Sequence, residues 1–455
     1  MSRRPAPDDR PVAMTIAGSD SGGGAGIQAD LKTMAAHGVY GTSVITSVTA
    51  QNTTGVDSTH LLPIEELAAQ LDALLADFAI TAGKTGMLAT APVIRTVADR
   101  AAEFDFPLVV DPVMVAASGD RLLEAEAESA YEDLIPQATL VTPNADEAAV
   151  LTDIDPVDPS SARQAGEAIV ELGADAALVK GGHIPGETVI DVLVTDADST
   201  VFEHPRIDTE ATHGSGCTLS SAIAAQLAQG MSLEAAVEAG VSFMERAVRY
   251  HLEVGTGPGS VHHLSDLRNR AAMNPTAEAV ADAVRTLVET DVSTLVPEVG
   301  MNVVGATPYA EDPEETAAIE GRITRTLDGI QPNRGIRFGA SSHVARFLLA
   351  CREYDPALRF AINCRYDDRV DAALASLGWE RGHYDRSNEP PEVKKTEGST
   401  MAWGAEQAFE SVSKTPVAVT DPGDVGKEAI TKLLARDVET LLDRVRTLDA
   451  AVAEE

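Results

Sequence analysis

Residues 12–52 read VAMTIAGSDSGGGAGIQADLKTMAAHGVYGTSVITSVTAQN, and their reading decides the fold of the first half of the chain. VAMTIAG (12–18) is an unbroken, mostly apolar run that predicts a buried strand. It runs into a loop with Gly18, Gly22, Gly23, Gly24 and Gly26, where missing side chains let the backbone approach a ligand closely. IQADLKTMAAHG (27–38) has helical spacing and ends on a glycine. GTSVITSVTAQN (41–52) is rich in β-branched residues and predicts a second strand. Working outward, IEELAAQLDALLADF (64–78) is an amphipathic helix, and PLVVDPV (107–113), TLVTPN (139–144) and ALVKGG (177–182) are short apolar strands that end in polar residues. Such alternation implies an α/β fold, a mostly parallel sheet covered by helices, with ligands at the carboxyl ends of the strands. Asp111, Asn144 and Lys180 stand at those ends.

The glycine loop fits neither the dinucleotide fingerprint nor the P-loop, so those two nucleotide sites are disfavoured. A second glycine segment, THGSGCTLSSAIAAQLAQG (212–230), is more specific. Gly214, Ser215 and Gly216 open a long helix whose free amides and positive dipole end suit a phosphate. Cys217 lies in that first turn, where the dipole is expected to lower its thiol pKa.

The chain has 455 residues, enough for two or three domains. Its formal net charge is −36, and only 8 of its 35 basic residues are lysine. Phosphate backbones need the opposite sign, so nucleic acid is an improbable partner. Unscreened, such charge destabilises the compact state; at molar salt the Debye length is about 3 Å and the repulsion is screened. A KCl-rich cytoplasm, as in salt-loving archaea, is the expected setting. No apolar run reaches membrane-spanning length, residues 1–11 look like a frayed tail and not a signal peptide, and the three cysteines form no CxxC pair. A cytoplasmic homo-oligomer without membrane or nucleic-acid partners is expected. Residues 1–264 carry a net −25 and residues 265–455 a net −11, with 17 of the 27 arginines in the second part. The polar segment 265–277 is read as the linker between domains 12–264 and 278–455.

TIAGSDSGGGAGIQADLKT, VTAQNTTGV, GKTGM, VVDPVM, SGD, TPNADEA, VKGGH and THGSGCTLSSAIAA follow the order and spacing of hydroxymethylpyrimidine/phosphomethylpyrimidine kinases, and residues 12–263 resemble that branch of the ribokinase superfamily. The resemblance implies a ribokinase-like sheet and two ATP- and Mg²⁺-dependent phosphorylations of 4-amino-5-hydroxymethyl-2-methylpyrimidine. It places Gln51, Asp30, Ala25, Met87 and Val113 around the pyrimidine, and Gly214, Ser215 and Gly216 at the transferring phosphoryl group. It puts Cys217 where sugar kinases carry an aspartate base, Asn144 and Lys180 on the nucleotide, and Glu147 and Asp111 near the metal. Gln51 agrees chemically, since an amide offers one donor and one acceptor to an aminopyrimidine edge. A pyridoxal or sugar kinase is the competing reading; Gln51–Asn52 and Cys217 disfavour it.

In the second half, 276–290, 341–354 and 367–378 have helical patterns, 335–339 and 359–366 read as strands, and EAITKLLARDVETLLDRVRTL (428–448) reads as one long helix. The segment from GRITR (321–325) to NCRY (363–366), with DPGDVGKEA (421–429), resembles the ThiN-type thiamine-phosphate synthase domain. That resemblance implies a second, smaller α/β domain that joins the pyrimidine diphosphate to a thiazole phosphate and releases pyrophosphate. Arginine forks suit so anionic a leaving group. Arg322 and His343 are the expected catalytic pair, with Arg337, Asn363, Arg365 and Lys427 as substrate contacts. The alternative is a non-catalytic sensor of thiamine phosphate, as in transcriptional regulators that carry the same domain.

Overall fold

The computed structural model describes residues 4, 9–115, 122–184, 186–395 and 398–455. The SGD motif at 118–120 and most of the tail 1–11 lie outside the described residues. The chain divides into two compact units, 1–266 and 267–455.

The first unit is built on nine strands: β1 (Val12–Asp20), β2 (Tyr40–Asn52), β3 (Gly55–Leu61), β4 (Ile80–Thr85), β5 (Leu108–Val110), β6 (Leu140–Val141), β7 (Ala176–Val179), β8 (Thr188–Thr195) and β9 (Ser199–Pro205). Their order is β3-β2-β1-β4-β5-β6-β7-β8-β9. The six from β2 to β7 run parallel, while β3, β8 and β9 are antiparallel additions. Chain order reverses between β1 and β4, the switch point where ligands settle in open α/β sheets. Apolar side chains from both faces of β1, β4 and β5 enter two separate cores, which is why these strands read as continuous apolar runs. The helices Gly26–Ala36, Ile64–Asp77 and Ser215–Ala228 fall where periodicity placed them.

The second unit has a seven-stranded sheet of β10 (Val303–Ala306), β11 (Thr316–Ile319), β14 (Ile336–Phe338), β15 (Phe360–Arg365), β16 (Arg381–His383), β17 (Ala418–Asp421) and β18 (Ile430–Ala435), in the order β14-β11-β10-β15-β18-β17-β16. A separate hairpin joins β12 (Ile323–Thr326) to β13 (Gly329–Pro332). All the pairings of the seven-stranded sheet are antiparallel except β16 with β17. Two sequence readings need correction. Residues 428–448 are not one helix: Ile430–Ala435 is a strand with β15 and β17 on its flanks, and the helix starts at Val438 after Asp437 caps it. The run ITKLLA is buried on both faces, and apolar spacing alone cannot separate such a strand from a helix. Residues 265–277 are helical, in Ser265–Ala271 and the start of Met273–Thr290, and Asn269 is buried, donating to Glu315 at 2.6 Å.

Candidate functional sites

A cavity of about 420 Å³ opens at the carboxyl ends of the first sheet. Ala25, Gln51, Met87, Asp111, Val113, Asn144, Glu147, Lys180 and Gly214 to Cys217 all line it, brought from seven segments of sequence. Its floor is the first turn of the helix Ser215–Ala228. Gly214 takes φ +80°, and a Cβ there would lie 1.9 Å from the Gly24 carbonyl oxygen, so only glycine lets the two loops close on each other. Beside that turn, Lys180 Nζ donates to Asp111 Oδ1 at 3.2 Å and lies 3.9 Å from Glu147. Burial pulls the Lys180 pKa down, but Asp111 and Glu147 outweigh it, and the ammonium is held above its ordinary range. Asp111 also accepts from Thr142 and Ser220, both at 3.3 Å. Glu147, nearly buried, is pushed up chiefly by desolvation, with Lys180 opposing. It also closes a reciprocal cap: Asn144 Oδ1 accepts from the Glu147 amide and Glu147 Oε2 from the Asn144 amide, both at 2.8 Å. The NADE motif thus fixes the helix Ala145–Thr152 while presenting both side chains to the cavity.

Two expectations fail in this unit. Asp30 is not part of the cavity wall. Its fully buried carboxylate accepts from Thr15 at 2.6 Å, Ser221 at 2.7 Å and Lys84 at 3.1 Å, a closed ionic network in which the Lys84 ammonium is also fully buried. Cys217 borders the cavity, and its sulfur takes a hydrogen bond from the Gly26 amide at the start of another helix. Yet its thiol is pushed up to about 11, because burial outweighs Lys84, and Asp30 and Asp111 add to the rise. The helix end alone does not make a thiolate here.

Asp20 and His213 were missed by sequence reasoning. Asp20 accepts from the amides of Gly22 (2.7 Å), Gly24 (3.0 Å) and Ala25 (2.8 Å), and lies 3.2 Å from His213 Nε2. Burial alone would raise its pKa, but His213 and these amides hold it below the usual carboxylate range. His213 Nε2 is in turn 3.5 Å from the Gln51 amide nitrogen, and Gln51 Oε1 accepts from Thr49 at 3.1 Å. The glycine loop is therefore wrapped on one carboxylate that also locates the expected pyrimidine contact. The signal was an aspartate two residues ahead of a glycine run, a short-range turn former. A second cavity of about 230 Å³ shares Asn144, Lys180, Ser215 and Gly216 with the first and continues over the apolar side chains of Val189, Ile207, Leu219, Met244 and Val248.

In the second unit His343 opens the helix His343–Arg352, its Nδ1 3.2 Å from Ser342 Oγ. Burial and then the charges of Arg322, Lys427, Arg346 and Arg386 hold its imidazole below the ordinary value, so the charges of four cations from separate segments act on one ring. Arg322 packs against Gly300, and Arg346 against Gly398. Arg346 and Arg386 were not foreseen. Three other expected substrate contacts have partners or positions of their own. Asn363 uses both ends of its amide inside the fold, accepting from the Asn302 amide at 2.7 Å and donating to the Gly300 carbonyl at 3.0 Å, so it braces the segment against which Arg322 packs. Arg365 is tied to Asp367. Arg337 is exposed on the edge strand β14, outside the group of cations named above.

The description "Phosphomethylpyrimidine kinase" matches residues 20–262, more than half of the chain. The chain belongs to this family. Residues 279–447 match the family described as "Thiamine-phosphate synthase ThiN". Among curated relatives, the hydroxymethylpyrimidine/phosphomethylpyrimidine kinase of Rhizobium meliloti is 50% identical over 258 residues, covering 55% of this chain and 96% of that one. The enzyme of the same name from Streptomyces coelicolor is 46% identical over 254 residues, covering 56% of this chain and 94% of that one. Among solved structures, an ADP complex of Bacillus subtilis pyridoxal kinase superposes with a TM-score of 0.53 at 33% identity, over 56% of this chain and 98% of that one. This phosphomethylpyrimidine kinase is thus fused to a ThiN domain. The ribokinase-like fold implied by the resemblance is the one found, and no described helix is long and apolar enough to cross a membrane.

Proposed function

We propose that the chain is a bifunctional enzyme of thiamine biosynthesis. Its first unit phosphorylates 4-amino-5-hydroxymethyl-2-methylpyrimidine to the mono- and then the diphosphate, and its second couples the diphosphate to thiazole phosphate with release of pyrophosphate. The observation that carries the kinase reading is the 420 Å³ cavity, in which an amide-bearing Gln51 wall faces a glycine-opened helix end flanked by Lys180. In each phosphorylation the substrate oxygen, first a hydroxyl and then a phosphate oxygen, bonds to the γ-phosphorus as the bond to ADP breaks, and charge accumulates on the transferring oxygens. The amides at Ser215–Cys217 and the Lys180 ammonium meet that charge without rearranging. Met87 and Val113 form apolar walls for the pyrimidine, and the Thr49 and His213 contacts orient Gln51 toward its edge. Because the Cys217 thiol stays protonated well above neutral pH, it orients the hydroxymethyl group and does not serve as a ready base.

The smaller cavity suits the base of ATP, whose phosphates would then pass Asn144 and Lys180 into the larger one. Asp111 and Glu147 are oxygen donors that fit Mg²⁺, and no three metal-ligating side chains cluster among the described residues, so the ion would be held together with nucleotide phosphates. When bound, it neutralises phosphate charge. For the synthase step, Arg322, Arg346, Arg386 and Lys427 would hold the diphosphate, and His343, kept from charging by these neighbours, would donate a hydrogen bond as pyrophosphate leaves.

Mass spectrometry of products made by the full chain from hydroxymethylpyrimidine, MgATP and thiazole phosphate in 2–3 M KCl tests both halves. Thiamine phosphate is the expected product. Pyrimidine diphosphate that accumulates beside unused thiazole phosphate would leave the kinase reading standing and sink the synthase reading.

A further inference from the structure

Among the cations whose charge acts on His343, Arg386 is set apart by how it is held. Its Nε donates at 2.8 Å to Asp421 Oδ2, and its guanidinium carbon lies 5.9 Å from the centre of the Tyr384 ring. Asp421 is itself fully buried at the end of β17, and three further contacts meet there. Tyr384 Oη donates to its Oδ2 at 2.8 Å, the Gly423 amide donates to its Oδ1 at 3.0 Å, and Lys432 Nζ donates to Tyr384 Oη at 2.7 Å. Lys432 projects from β18 beneath the Phe347 and Tyr384 rings, at 4.5 and 5.0 Å from their centres.

A fully buried carboxylate with this many donors is a fixed point, not a surface pair. One oxygen accepts from the Arg386 Nε, and a further side-chain hydrogen bond joins Arg386 to Tyr384, so the guanidinium is held from two sides. The other oxygen anchors the start of the loop 421–429, which turns at Gly423 (φ +81°) and folds back so that the amides and carbonyls of Asp424 and Lys427 pair at 2.8 and 3.2 Å. At its far end the Glu428 carboxylate accepts from the amides of Glu298 and Val299 at 2.7 and 2.8 Å. A single aspartate thus sets the position of two phosphate-seeking cations on different segments, Arg386 by its side chain and Lys427 by its loop. Nothing in the sequence pattern around Arg386, GHYDRSNEPP (382–391), announces it.

We propose that Arg386 is a further diphosphate-binding residue of the synthase site, and that Asp421 is a positioning residue that aims Arg386 and the Lys427 loop at the same anion. The inference rests on the synthase reading above for the identity of the anion, but the binding site itself does not require turnover.

The test uses the full chain in high KCl and two readouts: steady-state coupling of supplied pyrimidine diphosphate with thiazole phosphate, and calorimetric binding of inorganic pyrophosphate. Arg386→Gln is expected to raise KM for the diphosphate and the pyrophosphate Kd by about 10–100-fold each, the usual scale for losing a charged hydrogen bond, with a smaller change in kcat. Arg386→Lys should recover part of that loss. Asp421→Asn should shift both constants in the same direction, and the double variant Arg386→Gln/Asp421→Asn should be less impaired than the product of the single effects, as expected for residues that act through one another. Arg285→Gln, on an exposed helix face, is the control and should change nothing. Unchanged KM and pyrophosphate binding in Arg386→Gln, at an unchanged melting temperature, would overturn the proposal and leave Arg386 as a brace for Asp421. If Arg386→Gln does not fold, Arg386→Lys decides: affinity equal to wild type refutes the proposal, and a loss of several-fold supports it. Wild-type chain that binds pyrophosphate through Arg386 but never forms thiamine phosphate would sink the synthase reading alone.

Discussion

The two proposed sites face one electrostatic problem, holding phosphate in a chain of net charge −36, and meet it by different means. The kinase cavity uses few cations. Lys180 is matched to Asp111, Lys84 is buried against Asp30 outside the cavity wall, and the remaining positive potential comes from backbone amides at a helix end. The ThiN unit also has a helix start, at His343, but adds more cationic side chains: the charges of Arg322, Arg346, Arg386 and Lys427 all act on that one histidine. The contrast follows from the architecture. A parallel sheet directs strand ends and helix starts to one edge, so backbone dipoles converge there. A mainly antiparallel sheet does not bring its helix starts to one edge in this way, and side chains supply more of the charge.

If that contrast is real, the largest effects should appear where a single cation cannot be replaced by amides. Arg322→Ala and His343→Ala are each expected to reduce thiamine-phosphate formation about a hundredfold, while pyrimidine phosphorylation by the same chain stays at wild-type rate. A chromatographic assay of both products checks this, and equal loss of the two activities would erase the distinction between the sites.

In the kinase unit the vulnerable element is the backbone. Gly214→Ala would place a Cβ against the Gly24 carbonyl at positive φ, so a loss of about 2–4 kcal/mol in stability or a displaced helix start is expected. Calorimetry, with phosphorylation rate measured in parallel, reads both. An unchanged variant would mean that the close approach of the two loops is not needed.

Cys217→Ala should lower kinase turnover by about 10-fold and leave coupling of supplied diphosphate intact, since its thiol orients and does not ionise. With the thiol pushed up to about 11, alkylation by iodoacetamide at pH 7.5 should be slower than for a free cysteine and should quicken through pH 9–10. Rapid labelling at neutral pH would restore the thiolate that the helix end alone suggests.

Lys432 sharpens the comparison from the other side, as a buried cation whose direct hydrogen-bond partner is a tyrosine and not a carboxylate. Burial lowers it to about 8, so between about pH 8 and 10.5 the unfolded chain binds the proton that the folded chain has released. Stability from this group therefore rises with pH across that window, and the burial cost is fully present below it. Lys432→Met should stabilise the second unit by about 1–3 kcal/mol near pH 7, with the gain shrinking toward pH 10. Denaturant titrations at several pH values would reveal it, and a pH-independent difference would contradict the assignment. The smallest and broadest effect is of salt: the melting temperature of both units should fall as KCl drops from about 3 M to 0.1 M, because unscreened carboxylates repel.

Most of the kinase unit could be read from residues 12–230 because local signals and global fold agree there. The β-branched and apolar runs became strands, the glycine segments became the two loops that meet, and eleven expected residues plus Cys217 reached one cavity. Asp30 misled because it lies among motif residues yet points beneath the helix toward Lys84, and which face of a helix meets a cavity is settled only by packing. In the second unit the strand Ile430–Ala435 was hidden inside a helical-looking run, since burial on both faces removes the alternation that marks a strand.

By itself, then, the sequence determined the alternation of elements in the first unit, the obligatory glycines, the charge, and most candidate phosphate-holding groups of the first unit. These depend on side-chain chemistry and short-range sterics, which neighbours along the chain already define. Only the tertiary structure decided which charges compensate one another. Lys180 meets Asp111 across 69 positions and Tyr384 meets Asp421 across 37. The charge of Arg386 comes to act on His343, and Cys217 is packed deeply enough to keep its proton. Desolvation and Coulomb energy depend on distance and burial in space, and no spacing along the chain encodes either.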